Sequence, residues 1–466
     1  MGTVPAWRLR AAFARRLSDM YGTEVPAYTT LSAAVAEINE DVSRVDGDAG
    51  RLGGVERVAA ERHGAIRVGT PGELRQVAAI FGAMGMRPVG FYDLREASSS
   101  SVPVVSTAFR PTEPAELARN PFRVFTSLLT SADRRFFDED LQTRLEAFLA
   151  RRELFPAELL ELADRAERDG GLDPEPAERF LALAVDAFRL SSDPIDGAWY
   201  RELARVSAVA ADIGGVTGTH INHLTPRVLD IDRLYAEMGR RGITMIDEIQ
   251  GPPRWDGPDV LLRQTSFRAL EEKRRFRSAD GGTEFGTLRV RFGEVEARGI
   301  ALTTTGRALY DDLMTETDRR AAGVTAVDRA ELARAVWTAR FPRTERELAL
   351  NEQAFFTYRA TAPERRPTER QPPQDLAALL DEGWIEAEPI VYEDFLPRSA
   401  AGIFQSNLTD AGTRDATRSG THYDRPWLAE TIGRPVQDPI DLYAAQRDTS
   451  LAEARTELAV PPSAPA

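Results

Sequence analysis

Apolar residues recur at three- to four-residue intervals at Trp7, Leu9, Phe13 and Leu17, which predicts an amphipathic helix over residues 5–21. A second helix is predicted over 30–45, beyond the turn-forming run Tyr21-Gly-Thr-Glu-Val-Pro26. The pattern then shortens. Glu61 to Gly69 is a brief apolar segment that predicts a strand, and it leads into Thr70-Pro71-Gly72-Glu73. A threonine cap, a proline at the first helical position and an acid in the first turn mark a helix start. That helix is expected to run to Met86, with strands following over 87–94 and 102–109. Leucine and phenylalanine clusters among arginine and glutamate predict a helical scaffold from 121 to 211, with no visible chemistry. Residues 218–300 repeat the earlier theme: a strand over 218–224, a helix over 230–241, and strands over 243–249, 260–267 and 288–296. Helices are predicted over 304–318, 325–360 and 376–382, with a Pro/Arg/Gln-rich linker at 361–375 and a strand over 387–395. The tail from 408 is polar and then helical, and its Pro/Ala-rich end is expected to be disordered. The chain thus divides into N-terminal helices (1–55), a first mixed unit (56–120), a helical insertion (121–215), a second mixed unit (216–320), a helical segment ending in a closing strand and loop (321–407), and a tail (408–466).

Composition narrows the class. With 42% hydrophobic and 28% charged residues the sequence is that of a globular protein. It has no apolar run long enough to span a membrane. A net charge of -14 argues against a nucleic-acid surface, although a local arginine cluster can still hold a small anion. Cysteine is absent, which excludes thiolate metal sites and cysteine nucleophiles, so any metal must be held by imidazole and carboxylate. Lys273 is the single lysine among 59 basic residues; the arginine excess has the look of a GC-rich genome, and it leaves little room for Schiff-base chemistry. The N-terminal stretch lacks a signal-peptide core, and the expected location is the cytoplasm.

Only four histidines are present, and two of them, His220 and His223, share the run His220-Ile-Asn-His223-Leu-Thr-Pro-Arg227. If that run is a strand, alternation sends the two rings to opposite faces, so a single site can use only one of them. His63 lies in a similar segment, where it would share a face with Ala65 and Arg67; an arginine about 13 Å along a strand can fold back toward the histidine and hold an anion. His422 sits in a polar run and is expected at the surface. Two imidazoles need a carboxylate partner, and two histidines with one carboxylate leave positions open for substrate, as in non-haem Fe(II) oxygenases. Arg291-Phe-Gly-Glu294-Val-Glu296 is the best source by context, but Glu294 and Glu296 face the same way and spacing does not choose between them.

Several stretches together resemble a known family: Glu61 to Thr70, Met84-Gly-Met-Arg-Pro-Val-Gly-Phe-Tyr-Asp93, Pro121-Phe-Arg-Val-Phe-Thr-Ser127, His220 to Arg227, Leu261-Leu-Arg-Gln-Thr-Ser-Phe267, Arg291 to Glu296, and Val391-Tyr-Glu-Asp-Phe-Leu-Pro397 through Asn407. This family is the 2-oxoadipate dioxygenase/decarboxylases, once a domain of unknown function and related to the vicinal-oxygen-chelate enzymes. The resemblance runs in order from Tyr21 to Tyr443. It implies an α+β fold of two βαβββ modules, the first in 56–120 and the second in 216–320, forming a central curved sheet around one metal with large helical insertions. It also implies His63, His223 and Glu294 as Fe(II) ligands, preferring His223 to His220 and Glu294 to Glu296. His63 and Arg67 are implied to meet the substrate, Arg67 with a catalytic part, together with Arg398 and Ser399 in the loop after the closing strand. Arg398 departs from the family pattern, where a small apolar residue is expected. His220, Gln264 and Glu296 are left as candidates for supporting the ligands.

The implied reaction is O2-dependent oxidation of 2-oxoadipate to (R)-2-hydroxyglutarate with release of CO2, in lysine catabolism, the partners being a small 2-oxo diacid and O2. Two other classes are compatible with the residues. One is a metal-dependent lyase or isomerase on the same fold, which would draw a fourth ligand from Glu296 or an acid near His63. The other is a ligand-binding protein without catalysis.

Overall fold

The computed structural model describes residues 2–45, 55–96, 102–278, 281–289, 291–323, 325–367, 370–396, 414–415 and 417–459. Two long helices open the chain, α1 (Ala6–Glu24) and α2 (Pro26–Val45); both exist as the apolar spacing predicts, but the run expected as a turn over Tyr21–Pro26 is helical apart from Val25. They brace the centre of the molecule. The Tyr21 hydroxyl at the end of α1 donates to the carbonyls of Asn222 and Phe292, and the Asn39 side chain of α2 bonds the backbone at Arg227 and Leu229.

The sheet beneath them begins with β1 (Arg62–Val68) and α3 (Pro71–Ala83). The Thr70 hydroxyl accepts from Glu73 N and the Glu73 carboxylate accepts from Thr70 N, closing the capping box that the sequence encodes. Strands β2 (Arg87–Asp93), β3 (Val104–Arg110) and β4 (Arg123–Leu129) follow. The strand order is β2–β3–β4–β1, with β1 and β4 parallel and the other neighbours antiparallel.

Strand β4 corrects the sequence division, which gives 121–211 to helices. Its seven residues are all buried, so it lacks the polar alternation that marks a half-exposed strand, and its short apolar run merges with the helical pattern that follows. The helical insertion proper is α4 (Glu139–Leu149), α5 (Ala157–Asp169), α6 (Pro174–Ala187), α7 (Gly197–Val206) and α8 (Ala208–Gly214).

Strand β5 (His223–Pro226) then pairs antiparallel with β1, opposing His223 to Ala65 and Thr225 to His63. The expected strand over 218–224 therefore starts late, and residues 218–222 approach it as irregular backbone. Helix α9 (Ile231–Arg240) follows, and then β6 (Leu262–Ser266) and β9 (Glu294–Arg298), which pair antiparallel with Glu294 opposite Ser266 and Glu296 opposite Gln264. Arg227 bridges Glu296 in parallel, while the segment expected as a strand over 243–249 contributes the single bridge of Met245 to Phe267, with Gln250 to Gln264 just beyond it.

Between β6 and β9 lies a hairpin the sequence pattern did not announce, β7 (Glu272–Arg277) with β8 (Thr283–Leu288). Its charged, largely exposed residues carry little hydrophobic signal. The strand expected over 288–296 is thus two separate pieces. Helices α10 (Thr304–Arg320) and α11 (Ala326–Arg340) match expectation, but the helix predicted to 360 gives way to β10 (Phe356–Ala360), which pairs with β11 (Ile385–Pro389). The closing strand over 387–395 is therefore displaced, its later part attached by the single bridge of Val391 to Ile300. A second apolar core surrounds Trp337 in this C-terminal part. The tail carries α12 (Arg425–Ile432) and α13 (Pro439–Glu457), and the Pro/Ala-rich end lies outside the described residues. Among the described residues no helix is long and apolar enough to cross a membrane.

Candidate metal centre

Antiparallel pairing of β1 with β5 puts His63 and His223 on one face of the sheet, with ring centroids 5.5 Å apart. Glu294, at the start of β9, enters between them. Its Oε2 lies 3.5 Å from His63 Nε2 and its Oε1 3.4 Å from His223 Nε2. The side chains are 1%, 5% and 7% exposed for His63, His223 and Glu294. The three offer one donor atom each within 4.8 Å of one another, a group that can hold a metal ion. Separations of this size suit donors that each sit about 2.1 Å from a shared ion.

Each histidine is steered from behind. His223 Nδ1 is 3.1 Å from the Thr225 hydroxyl, which in turn lies 3.5 Å from Glu294 Oε2. A proton on Nδ1 leaves the Nε2 lone pair facing Glu294. Phe292 stacks on the His223 ring at 5.2 Å. Burial, with the Glu294 charge opposing it and the charges of His63 and Arg67 adding to it, lowers the His223 pKa to about 4, so the ring is neutral at pH 7 and able to ligate. His63 Nδ1 faces Glu296 Oε2 at 3.1 Å. Burial disfavours a proton on His63, but Glu296 and Glu294 outweigh it and raise its pKa, so proton and metal compete for this ring.

Glu296 is itself clamped. Arg298 Nε and Nη2 donate to its two oxygens at 2.7 and 2.9 Å. Burial opposes its charge, yet Arg298, His63 and Arg123 hold its carboxyl well below the usual range. It therefore stands behind His63, away from Glu294, which speaks against a fourth ligand at that position. Glu296→Gln is expected to weaken metal binding about 10- to 100-fold, as loss of a carboxylate behind a ligating histidine does; an Fe(II) titration followed by metal analysis measures it.

The clamp belongs to a buried network that composition concealed. Arg123 Nη2 donates to Glu61 Oε1 and Glu393 Oε2, both at 2.6 Å, and Arg227 Nη1 donates to Glu61 Oε2 at 2.9 Å. Arg57 pairs with Glu393, and Arg110 grips Asp394 through Nε and Nη2 at 2.8 and 2.9 Å. Burial would raise the Glu61 carboxyl, but Arg123 and Arg227 hold it well below the usual range. Many arginines attributed to genome bias are thus fully buried structural ions. Their sequence trace was the alternation Glu294-Val-Glu296-Ala-Arg298 and the arginine within β4. Through Glu393 and Asp394 the network fixes Phe395, whose ring meets His63 edge-on at 5.0 Å and Phe125 at 4.9 Å.

The remaining sequence candidates fall as follows. Arg67 is buried on the same face of β1 as His63 and forms an ion pair with Asp212 of α8. His220 lies beside that pair, Nε2 3.6 Å from Asp212 Oδ1, and so supports Arg67 rather than the histidine ligands. The alternation argument does not reach it, because β5 begins at His223. Gln264 is buried opposite Glu296, its backbone bonded to Gln250. His422 is exposed and 3.2 Å from Asp424. Arg398 and Ser399 lie outside the described residues. Sequence reasoning missed Thr225, Phe292, Phe395, Asp212 and the arginine network.

Residues 13–407 match the family model described as 2-oxoadipate dioxygenase/decarboxylase. The chain belongs to the 2-oxoadipate dioxygenase/decarboxylase family. Within that family it is 55% identical over 439 residues to a Mycobacterium bovis 2-oxoadipate dioxygenase/decarboxylase, covering 94% of this chain and 96% of the relative. A Pseudomonas putida protein of the same name is 42% identical over 452 residues, 95% of each chain. The fold is similar to that of a Pseudomonas putida hydroxyglutarate synthase solved in complex with 2-oxoadipate, with a TM-score of 0.85 at 40% identity over 98% of this chain and 99% of that one.

Proposed function

We propose that this chain is an Fe(II)-dependent dioxygenase/decarboxylase that converts 2-oxoadipate and O2 into (R)-2-hydroxyglutarate and CO2. The observation that carries this is the buried group of His63, His223 and Glu294 in a member of this family. Atoms balance: one oxygen atom of O2 enters the carboxylate left where CO2 departs, and the other enters the new hydroxyl. Iron(II) in this site supplies Lewis acidity toward the 2-oxo acid and the electrons that activate O2.

The protein's part is positional. His63, His223 and Glu294 would hold the ion, offering one donor atom each. Glu296 and Thr225 keep the rings turned inward, while Phe125, Phe292 and Phe395 form an apolar surround that keeps water from the reacting atoms. Arg67 takes the distal carboxylate and so orients the substrate's chain of methylenes.

The similar strand order in the two halves supports a pair of βαβββ modules. The first runs β2–β3–β4–β1, and the second runs from segment 245–250 through β6 and β9 to β5, again with first and last strands side by side and parallel.

The deciding experiment is anaerobic Fe(II) loading followed by O2 uptake and CO2 release with 2-oxoadipate, 2-oxoglutarate and 2-oxopimelate. One CO2 per O2, fastest with 2-oxoadipate, is expected. Turnover without O2 in the Zn(II)- or Ni(II)-loaded protein would sink the proposal in favour of a lyase or isomerase. Arg67→Ala is expected to raise the KM for 2-oxoadipate about 10- to 100-fold, the loss of a charge-assisted pair of roughly 1.5–3 kcal/mol; steady-state O2 uptake checks it.

A further inference from the structure

We propose that Asp212 is a positioning residue that sets the Arg67 guanidinium for the substrate's distal carboxylate, with Asn222 and His220 holding Asp212 in turn. This rests on Arg67 binding that carboxylate.

Arginine has a long side chain with many rotamers, and its planar fork recognises a carboxylate only when the plane is correctly turned. Here both ends of Arg67 are held by residues 208–222. The Thr219 hydroxyl donates to the Arg67 carbonyl at 2.7 Å, and the Asp212 carboxylate meets Nη1. Fixing one nitrogen of the fork sets the plane in which the others donate.

Asp212 is buried in the last turn of α8, where an aspartate needs its own partners. Asn222 Nδ2 donates to Asp212 Oδ2 at 3.1 Å and lies 3.1 Å from His220 Nε2. A neutral imidazole accepts that second amide hydrogen. Burial, opposed by Asp212 and reinforced by Arg291, Arg67 and Arg274, brings His220 to a pKa of about 4 and keeps it neutral. The run that carries the ligand His223 thus also carries the support for Arg67, and the helical insertion, without ligands of its own, delivers the carboxylate. A displaced Arg67 would misplace diacids while leaving the ion's surroundings intact.

The test compares 2-oxoadipate with 2-oxohexanoate, which has the same chain length and no distal carboxylate, in the Fe(II)-loaded protein. The readout is the ratio of their kcat/KM values. Asp212→Asn is expected to lower that ratio about tenfold, the weight of one charge-assisted hydrogen bond, with the change in KM rather than kcat. His220→Ala, which removes the acceptor behind Asn222 and the ring beside Asp212 but leaves the carboxylate in place, is expected to lower it about threefold in the same sense, and keeps the test alive should Asp212→Asn fail to fold. In an Arg67→Ala background neither change should move the ratio further.

A ratio that stays constant while both substrates slow would make Asp212 purely structural and overturn the proposal. So would a rising ratio, which would make Asp212 a competitor for Arg67. If Arg67→Ala itself leaves the ratio unchanged, the role given to Arg67 falls; if it collapses the ratio and Asp212→Asn does not, only the role of Asp212 falls.

Discussion

Glu294→Ala is expected to abolish O2 uptake with 2-oxoadipate, by on the order of a thousandfold or more, and to lower bound iron far below one equivalent. Glu294 is the only carboxylate in the described metal-binding group, and it faces both Nε2 atoms at 3.4 and 3.5 Å. Without it two neutral imidazoles face a divalent ion with no counter-charge in a buried site. Charge stabilisation by a bound metal is worth several kcal/mol, and each 1.36 kcal/mol of barrier is about tenfold in rate. The neighbouring Glu296 does not substitute, because Arg298 holds both its oxygens and it lies on the Nδ1 side of His63. Metal analysis of anaerobically loaded protein beside oxygen-electrode rates separates failure to bind from failure to turn over. Retention of one tightly held iron with near-normal rate would remove Glu294 from the ligand set.

The largest stability effect is expected at Arg123. Arg123→Met leaves Glu61 and Glu393 without the guanidinium that joins them, in a buried region. Removing one partner of a buried pair costs about 3–5 kcal/mol, because the remaining charge keeps its desolvation penalty. The midpoint of guanidinium-induced unfolding should fall accordingly, measured by circular dichroism, and iron binding should weaken with it, since Arg123 also helps hold Glu296. Arg144→Ala is the control: its partner Glu202 is at the surface, and no comparable shift is expected. Equal, small shifts for both variants would show that the network contributes no more than surface pairs do.

The limits of the sequence have physical causes. Amphipathic helices α1 and α2 were legible because each has one wet face, and the start of α3 because its capping residues are visible; the strand around His63 is nearly all buried and was marked instead by its brevity and its bounding glycine. Strand β4 was not, because it is buried throughout and carries no alternation. The hairpin of β7 and β8 was missed for the opposite reason, being mostly polar and exposed. At the site, alternation narrowed each choice to two, and only the family resemblance preferred His223 and Glu294; the geometry of those residues agrees. What no local pattern could offer was distance along the chain: Asp212, Phe395 and the Arg123 network reach the site from elements 62 to 332 residues away from their partners.

The seam between β1 and β5 has a consequence for how the protein matures. His63 and His223 are 160 residues apart and meet only because Ala65 is paired with His223 and not with a neighbour. A slip of one residue would turn every side chain of β5 to the other face. Such a misregistered chain cannot gather the three donors of the metal-binding group. Correct strand register and the ability to hold a metal ion are therefore acquired in the same step, and one cannot be had without the other.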